Sequence, residues 1–174
     1  MVDISQSGEY FYDYVNTSDI VITNSNDLAN FAIKRIKKGG LLLNFGGNHR
    51  IRSAVKEDCK NIIKLVQELA DYQKLSDGPS LTPEKLEEDG FGSDPAFHCK
   101  VAYDGDKCVG YALYFYGFST FYGRNAYMED LYVSNNYRDK GIGSDLWRSA
   151  VKETLEKGCT TFDFSVLGDN FERH

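Results

Sequence analysis

One segment of this 174-residue chain restricts its fold more than any other, because a strand, a glycine turn and an amphipathic helix follow one another directly. Alternating apolar residues predict a strand over 126–133, and apolar residues at helical spacing predict a helix over 142–157 that Gly158 ends. The R-x-x-G-x-G run at 138–144 lies between them. In such a turn, successive backbone N–H groups point at one anion, and the positive end of the helix dipole adds to the attraction. The segment therefore predicts a phosphate-binding turn.

The glycine spacing distinguishes this turn from other phosphate-binding motifs. A dinucleotide-binding G-x-G-x-x-G motif needs a third glycine where this register has Asp145 or Leu146, and no lysine follows as in a Walker loop.

An alternative phosphate- or nucleotide-binding segment lies earlier in the chain, where residues 19–43 weakly resemble the late part of a methyltransferase-like Rossmann sheet. That segment lacks a complete glycine-rich first turn.

The rest of the chain predicts a set of short elements. These are a strand over 50–55, a helix whose apolar face runs from Ile62 to Ala70, a second helix after Thr82, a hairpin of strands 97–103 and 108–115 joined by Asp104-Gly105-Asp106, and a strand over 161–167. Asp58 and Thr82 are the expected helix N-caps, Pro83 the first residue of the second helix, and Gly90 the residue beyond its end. The order predicts an α/β fold with a mostly antiparallel sheet and one late βαβ crossover.

Composition excludes several classes of function. The net charge of −6 argues against broad nucleic-acid binding and suits a small cationic substrate. The chain has no run of eighteen apolar residues and no secretory signal at its start, so we expect a cytoplasmic protein without a membrane partner. The four cysteines form no C-x-x-C pair, and the three histidines (His49, His98, His174) are too dispersed for a metal site. For His98 we expect a structural role.

The turn and its surroundings resemble a known superfamily. Residues 133–138 (Val-Ser-Asn-Asn-Tyr-Arg), followed by the R-x-x-G-x-G run, are similar to the pyrophosphate-binding signature of the GNAT acetyltransferases. The resemblance covers roughly residues 50–170 and is closest to the diamine (spermidine/spermine) and thialysine N-acetyltransferases. The segments that carry it are 68–77 (ELADYQKLSD), 88–92 (EDGFG), 97–99 (FHC), 127–133 (YMEDLYV) and 157–159 (KGC).

The resemblance implies an enzyme that transfers an acetyl group from acetyl-CoA to a primary amine of a small cationic substrate, which is a diamine, a polyamine or a thialysine-like amino acid. It implies a GNAT-like sheet flanked by helices, no metal, and a homodimer. Acetyl-CoA would be bound by the backbone of Leu131, Tyr132 and Val133, by the turn of Arg138, Asp139, Lys140, Gly141, Ile142, Gly143 and Ser144, and by Asn170. Its pantetheine arm would lie between the diverging strands 127–133 and 161–167. The substrate would contact Tyr72, Gln73, Glu129 and Asp130, although the relatives often carry an acidic residue at the position of Gln73.

Glu129 and Asp130 suit the chemistry of amine acetylation. An amine with a pKa of about 10.4 is neutral about once in a few thousand at pH 7, so a base must remove its proton. Strand alternation would place these neighbouring carboxylates on opposite faces, and we expect Glu129 to face the cleft. The alternative is an ordinary solvated strand position.

The family pattern also predicts a shortened chain. Relatives continue past the strand 161–167 with an Asn and an aromatic pair whose Tyr protonates the departing thiolate, whereas this chain reads Phe171-Glu172-Arg173-His174 after Asn170. We therefore expect a domain over residues 50–174 without the last helix and strands, preceded by an extension over residues 1–49. The strand 161–167 would be an unpaired edge unless residues 1–49 or another subunit cover it. The alternative function is a catalytically impaired homologue that at most binds CoA.

Overall fold

The computed structural model describes Val2, Asp3, residues 49–75 and residues 77–164, and all structural statements concern these residues. The strands are β1 (Val2–Asp3), β2 (His49–Ser53), β3 (His98–Asp104), β4 (Lys107–Ser119), β5 (Gly123–Val133) and β6 (Thr161–Phe164). The helices are α1 (Cys59–Tyr72), α2 (Pro83–Phe91) and α3 (Ile142–Glu156). Within these ranges, no helix is long and apolar enough to span a membrane.

The strands form one mixed sheet in the order β1-β6-β5-β4-β3-β2. Neighbouring strands are antiparallel except β5 and β6, which are parallel and connected through α3. The predicted α/β class with one late βαβ crossover is therefore confirmed. The expected free edge of β6 is covered by the chain's own amino terminus, because Val2 pairs with Phe162 and Asp3 with Thr161.

Helices cover both faces of the sheet. On one face, α3 packs over a cluster built around Leu146, Trp147 and Phe162. On the other face, α1 and α2 pack over a cluster that includes Ile62, Leu86, Val101, Tyr111 and Tyr132. Burial of apolar side chains on both faces drives this layered arrangement. Because both faces are covered, Lys100 and Ala102 of β3 are also buried, although they lie on the opposite face of the strand from its apolar row.

The hairpin of β3 and β4 confirms the prediction from its turn residues, since a two-residue loop at Gly105-Asp106 joins the strands and Gly105 has a φ of +57°. Several strand boundaries differ from expectation, and β4 continues to Ser119, four residues beyond its predicted end at 115. β5 begins at Gly123, three residues before the predicted start, and β2 begins at His49. β6 is described through Phe164, so the predicted residues 165–167 lie outside the described part of the chain.

The helix caps were predicted with mixed success. Thr82 caps α2 by accepting a hydrogen bond from the amide of Lys85, and Pro83 is the first helical residue, as expected. Gly90, expected beyond the end of α2, lies inside the helix. An added Cβ at Gly90 would come within 2.2 Å of the Phe97 ring, so close packing and not helix termination requires this glycine.

Asp58, expected as the N-cap of α1, makes no cap hydrogen bond to that helix. Its buried carboxylate instead accepts two hydrogen bonds from the Arg52 guanidinium at 2.6 and 2.8 Å, one from the Tyr103 hydroxyl at 2.6 Å and one from the Val55 amide at 2.8 Å. Burial alone would raise the pKa of Asp58, but these donors outweigh it and lower the pKa below its ordinary value. Asp58 therefore ties β2 and β3 to the start of α1.

A second buried polar contact lies beneath α3. The ammonium group of Lys100 donates to the Ser53 hydroxyl at 2.8 Å and to the carboxylate of Glu153 on α3. His98 lies beside them, with Nδ1 3.7 Å from Glu153 Oε1 and its ring 4.7 Å from that of Tyr116. These contacts connect β3 to α3 and place His98 in a packing environment, in agreement with the expected structural role.

Candidate acetyl-transfer site

The predicted phosphate-binding turn lies between β5 and α3. After Val133 the chain makes one 3-10 turn over Asn135–Tyr137, and Asp139 and Gly141 then adopt left-handed conformations with φ of +62° and +76°. Positive φ is costly for most residues, so two such positions within three residues define a specific backbone path. That path leads directly into the first turn of α3 at Ile142.

The amides of this turn are available to an anion. Among the described residues, none of the backbone N–H groups of 139–144 donates to a backbone carbonyl, and no side chain caps the start of α3. Gly141 is exposed, and an added Cβ there would meet no atom within 4 Å, so the space beside this residue is open. Unpaired amides at the start of a helix are a suitable binding site for an anion such as a phosphate group.

The two basic side chains of the turn contact the protein itself, Arg138 at the end of β5 and Lys140 at the preceding 3-10 turn. Arg138 Nε donates to the carbonyl of Val133 at 2.9 Å, and the guanidinium lies over the rings of Tyr72 and Tyr132, 4.6 and 5.5 Å from their centroids. Lys140 Nζ donates to the carbonyl of Asn136 at 3.2 Å. In this structure the backbone therefore presents the anion-binding groups, while Arg138 stabilises the turn.

A β-bulge lies at the predicted catalytic pair. Leu113 of β4 faces Asp130 and the next residue, Tyr114, faces Met128, so Glu129 is an extra residue in β5. Met128 and Leu131 consequently both pack on the α3 face, although strict alternation would separate them. Asp130 lies on the opposite face, where it contacts Tyr111. The bulge interrupts the alternation on which the expectation for Glu129 and Asp130 depended, so their placement on opposite faces stays a prediction.

Asp130 is half-buried and has one defined partner. The hydroxyl of Tyr111 donates to Asp130 Oδ2 at 2.9 Å. Burial raises the pKa of Asp130 above its ordinary value, and the hydrogen bond from Tyr111 offsets part of that rise. A carboxylate with a raised pKa is a better proton acceptor near neutral pH. Glu129, by contrast, is exposed to solvent.

The bulge also marks the end of the described pairing between β5 and β6, which runs from Asn125 with Thr161 to Met128 with Phe164. Leu131, Tyr132 and Val133 follow the bulge and lead to the turn. Asp130, the strand residues Leu131–Val133 and the glycine turn are thus consecutive along the chain. Asn170 lies outside the described residues.

A cavity of about 450 Å³ opens between α1 and the end of β5. It is lined by Glu68, Asp71, Tyr72, Lys107, Tyr132, Ser134, Asn135, Asn136 and Tyr137. Tyr72, expected to contact the substrate, and Tyr132, expected to bind the cofactor through its backbone, both line this cavity, and Tyr72 is 41% exposed. Gln73 is the C-cap of α1 and, like Glu129 and Asp130, is not among the lining residues. In the described part of the chain, no group of His, Cys, Asp and Glu could hold a metal ion.

A family model agrees with this geometry. Residues 62–173 match the acetyltransferase (GNAT) family, a span that includes α1, the bulge, the turn and α3. The chain belongs to the GNAT acetyltransferase family. It is thus an acetyltransferase, a class of enzyme that uses acetyl-CoA as co-substrate.

This acetyltransferase is similar to thialysine and spermidine/spermine-type N-acetyltransferases. It is 44% identical over 128 residues to the thialysine N-epsilon-acetyltransferase of Sus scrofa, covering 69% of this chain and 75% of that protein. It is 32% identical over 125 residues to the human spermidine/spermine N(1)-acetyltransferase-like protein 1, covering 68% of this chain and 18% of that one.

Solved structures share the fold. An aminoglycoside acetyltransferase from an uncultured soil metagenomic sample, in complex with sisomicin, superposes with a TM-score of 0.61 at 20% identity, over 71% of this chain and 80% of that one. A ribosomal-protein-alanine N-acetyltransferase from Brucella melitensis biovar Abortus 2308 superposes with a TM-score of 0.56 at 19% identity, over 72% and 88%.

The sequence analysis did not identify three charged residues of the cavity, namely Glu68, Asp71 and Lys107. Glu68 and Asp71 are three residues apart on α1, a spacing that places them on one helix face and could have indicated a shared role. Lys107 begins β4 and is distant in sequence, so its approach to the cavity depends on the tertiary fold. Tyr111 is fully buried in the core, and its hydroxyl also contacts Asp130.

Proposed function

We propose that this enzyme transfers the acetyl group of acetyl-CoA to a primary amine of a small cationic substrate, in the class of diamines, polyamines and thialysine-like amino acids. The observation that carries the proposal is the continuity of the site, in which the half-buried carboxylate of Asp130, the strand Leu131–Val133 and the open turn at Gly141 follow one another. The net charge of −6 favours a cationic substrate.

Acetyl-CoA supplies an activated acyl group, and the chain supplies orientation and a base. The amides of residues 139–144 and the positive end of the α3 dipole would bind the diphosphate, while the backbone of 131–133 would align the pantetheine arm. The side chain of Arg138 would fix the turn through its hydrogen bond to Val133. Gly141 fits this role because its position has a left-handed φ and open space in front of it.

The base would act on the substrate amine. An amine with a pKa of about 10.4 must lose a proton at a cost of roughly 4.6 kcal/mol at pH 7. Asp130 accepts that proton directly or through water, the neutral nitrogen attacks the thioester carbon, a C–N bond forms and the C–S bond breaks. The nitrogen loses its second proton to solvent, and the departing CoA thiolate, whose thiol has a pKa of about 8.5, takes one up, which leaves a neutral amide and the thiol of CoA. Glu129, exposed on the bulge, would attract the ammonium group.

The test combines binding and turnover. Isothermal titration should detect acetyl-CoA binding, and a thiol-release assay should detect acetylation of thialysine, spermidine or lysine. Asp130→Asn should retain acetyl-CoA binding and lower kcat by about 10²–10⁴-fold, the usual contribution of a general base. Glu129→Gln should mainly raise KM.

Two outcomes would contradict the proposal. Absence of both heat and thiol release would exclude acetyl transfer by this chain, and binding without thiol release would favour a homologue that only binds CoA. A normal kcat for Asp130→Asn would remove Asp130 from the mechanism. Asp94→Asn, at an exposed position between α2 and β3, is the matched control and should change neither binding nor turnover.

A further inference from the structure

Two side chains of α1 contact the segment that leads from β5 into the glycine turn. Glu68 and Tyr72 are four residues apart, so they project from one face of this helix, and Tyr72 is its last residue. Glu68 contacts residues at the end of β5, and Tyr72 contacts the first residue of the turn. The end of α1 is therefore connected to both ends of residues 132–138.

Glu68 fixes the point at which the chain leaves β5. Its Oε2 atom accepts hydrogen bonds from the Ser134 hydroxyl at 2.6 Å and from the Tyr132 hydroxyl at 3.3 Å. Both donor residues are buried, and the carbonyl of Ser134 accepts from the amide of Tyr137 at 2.8 Å to form the 3-10 turn. Hydrogen bonds to a carboxylate are stronger than those to a neutral acceptor. Glu68 therefore positions the residue from which the 3-10 turn begins.

Tyr72 contacts the other end of the same segment. The Cζ atom of Arg138 lies 4.6 Å from the centroid of the Tyr72 ring and 5.5 Å from that of the Tyr132 ring. The Nε atom of the same guanidinium donates to the carbonyl of Val133 at 2.9 Å. A planar guanidinium that contacts two aromatic rings and one carbonyl has few other orientations. Tyr72 therefore restricts the residue with which the glycine turn begins.

The amides of the turn cannot provide this support themselves. In the part of the chain that the structure describes, the backbone N–H groups of 139–144 donate to no backbone carbonyl. An amide that binds a phosphate oxygen must be unpaired beforehand, so other contacts have to hold the turn. A turn that already has its bound conformation loses less conformational entropy when the ligand binds, and this raises the affinity.

We propose that Glu68 and Tyr72 are positioning residues that hold the glycine turn in its binding conformation and act on the affinity for acetyl-CoA through Ser134 and Arg138. The inference rests on the proposed function, in which the amides of 139–144 bind the diphosphate. It extends the determinants of cofactor affinity to a helix on the other face of the sheet from α3. It also gives Tyr72, expected from the resemblance to contact the substrate, a role in cofactor binding.

A double-mutant cycle tests the contact between Tyr72 and Arg138, with the Kd for acetyl-CoA measured by isothermal titration. Tyr72→Leu should raise the Kd about 3- to 30-fold, the range that corresponds to one cation–π contact. Tyr72→Phe keeps the ring and should leave the Kd close to that of the unmodified enzyme. In an Arg138→Met background, Tyr72→Leu should have no further effect. If Arg138→Met binds too weakly to titrate, the difference between the Leu and Phe variants decides.

Tyr122→Leu is the matched control for the aromatic substitution. Tyr122 is 50% exposed in the loop between β4 and β5, and its ring contacts that of Phe121. This variant should leave the Kd unchanged. Loss of folded protein would lower the number of binding sites in the titration and leave the Kd of the remaining sites unaltered, so the Kd separates a positioning role from a general effect on stability.

Glu68 has a test of its own. Glu68→Ala removes the acceptor of both hydroxyls and should raise the Kd for acetyl-CoA about tenfold, whereas Glu68→Gln retains an oxygen acceptor and should recover part of the affinity. With both substrates saturating, kcat should change less than the KM for acetyl-CoA. Glu87→Ala removes an exposed carboxylate from α2 and should change neither quantity.

The outcomes distinguish this inference from the proposed function. Additive effects of Tyr72→Leu and Arg138→Met on the Kd, equal effects of the Leu and Phe variants, or an unchanged Kd in both Tyr72→Leu and Glu68→Ala would overturn the positioning role. If the unmodified enzyme binds acetyl-CoA and acetylates an amine in the same experiments, the proposed function stands. Absence of acetyl-CoA binding by the unmodified enzyme would overturn both.

Discussion

The Tyr111 hydroxyl donates a hydrogen bond to Asp130 Oδ2 across 2.9 Å, between neighbouring strands β4 and β5. This bond opposes the effect of burial, which raises the pKa of Asp130. The phenol therefore limits how far the pKa of the proposed base moves from its ordinary value.

Tyr111→Phe tests this relationship. Without the hydroxyl, the pKa of Asp130 should rise further, so the acidic limb of the kcat/KM profile against pH should move to higher pH. The substitution should also cost about 1 kcal/mol of folding free energy, the usual contribution of one hydrogen bond. Tyr103→Phe, which removes a similar bond to Asp58, should cost comparable stability without moving the limb. An unmoved limb in Tyr111→Phe would argue against Asp130 as the base.

Gly141→Val tests the anion-binding turn. The position has a φ of +76° and open space for a side chain, so the variant should fold with a backbone penalty of about 1–2 kcal/mol. The new side chain would project into the open turn, and the Kd for acetyl-CoA measured by titration calorimetry should rise at least tenfold. Gly158→Val is the matched control, because Gly158 has a φ of +79° and equally open space at the other end of α3. Similar effects of both variants on the Kd would show that strain, not the turn, controls binding.

Asp58→Asn tests the buried carboxylate between Arg52 and Tyr103. Removing the charge should lower the free energy of unfolding by about 2–4 kcal/mol in denaturant titrations near neutral pH. The pKa of Asp58 is lowered in the folded state, so its contribution is complete above its ordinary value of 3.8 and is lost as pH falls through the lower folded value. The unmodified protein should therefore lose stability in this acidic range, and the variant should lose less of it. Identical acid profiles would contradict the assignment.

A double-mutant cycle tests the contact between Lys100 and Glu153. Glu153→Gln leaves a buried ammonium group without its carboxylate, and we expect a loss of about 2–4 kcal/mol. Lys100→Met should cost a similar amount. The double variant should recover more than half of the summed loss, because no uncompensated charge remains. Additive losses would indicate that the two groups do not interact in solution.

The sequence predicted the elements that local chemistry determines. The loop at Gly105-Asp106, the cap at Thr82 and the path of α3 each depend on residues close together in the chain. The position of the turn before α3 and its unpaired amides were also predictable. A glycine turn between a strand and a helix allows few arrangements of its backbone N–H groups.

Other features depend on contacts between distant segments. Asp58 looked like a helix cap from its neighbours, but its donors Arg52 and Tyr103 belong to paired strands. Gly90 looked like a helix stop, but the ring of Phe97 requires the missing side chain. The cavity combines α1 with the start of β4, and no local pattern brings Lys107 to Glu68.

Because Glu129 is an extra residue, the backbone around Asp130 depends more on the number of residues in β5 than on their identity. Removing this residue would restore simple alternation, with Asp130 still on the face opposite Met128 and Leu131, but it would remove the local bend that the bulge gives to β5. Exchanging Glu129 for another residue would leave the bulge in place. Insertions and deletions between Met128 and Leu131 should therefore alter the backbone beside Asp130 more than substitutions do.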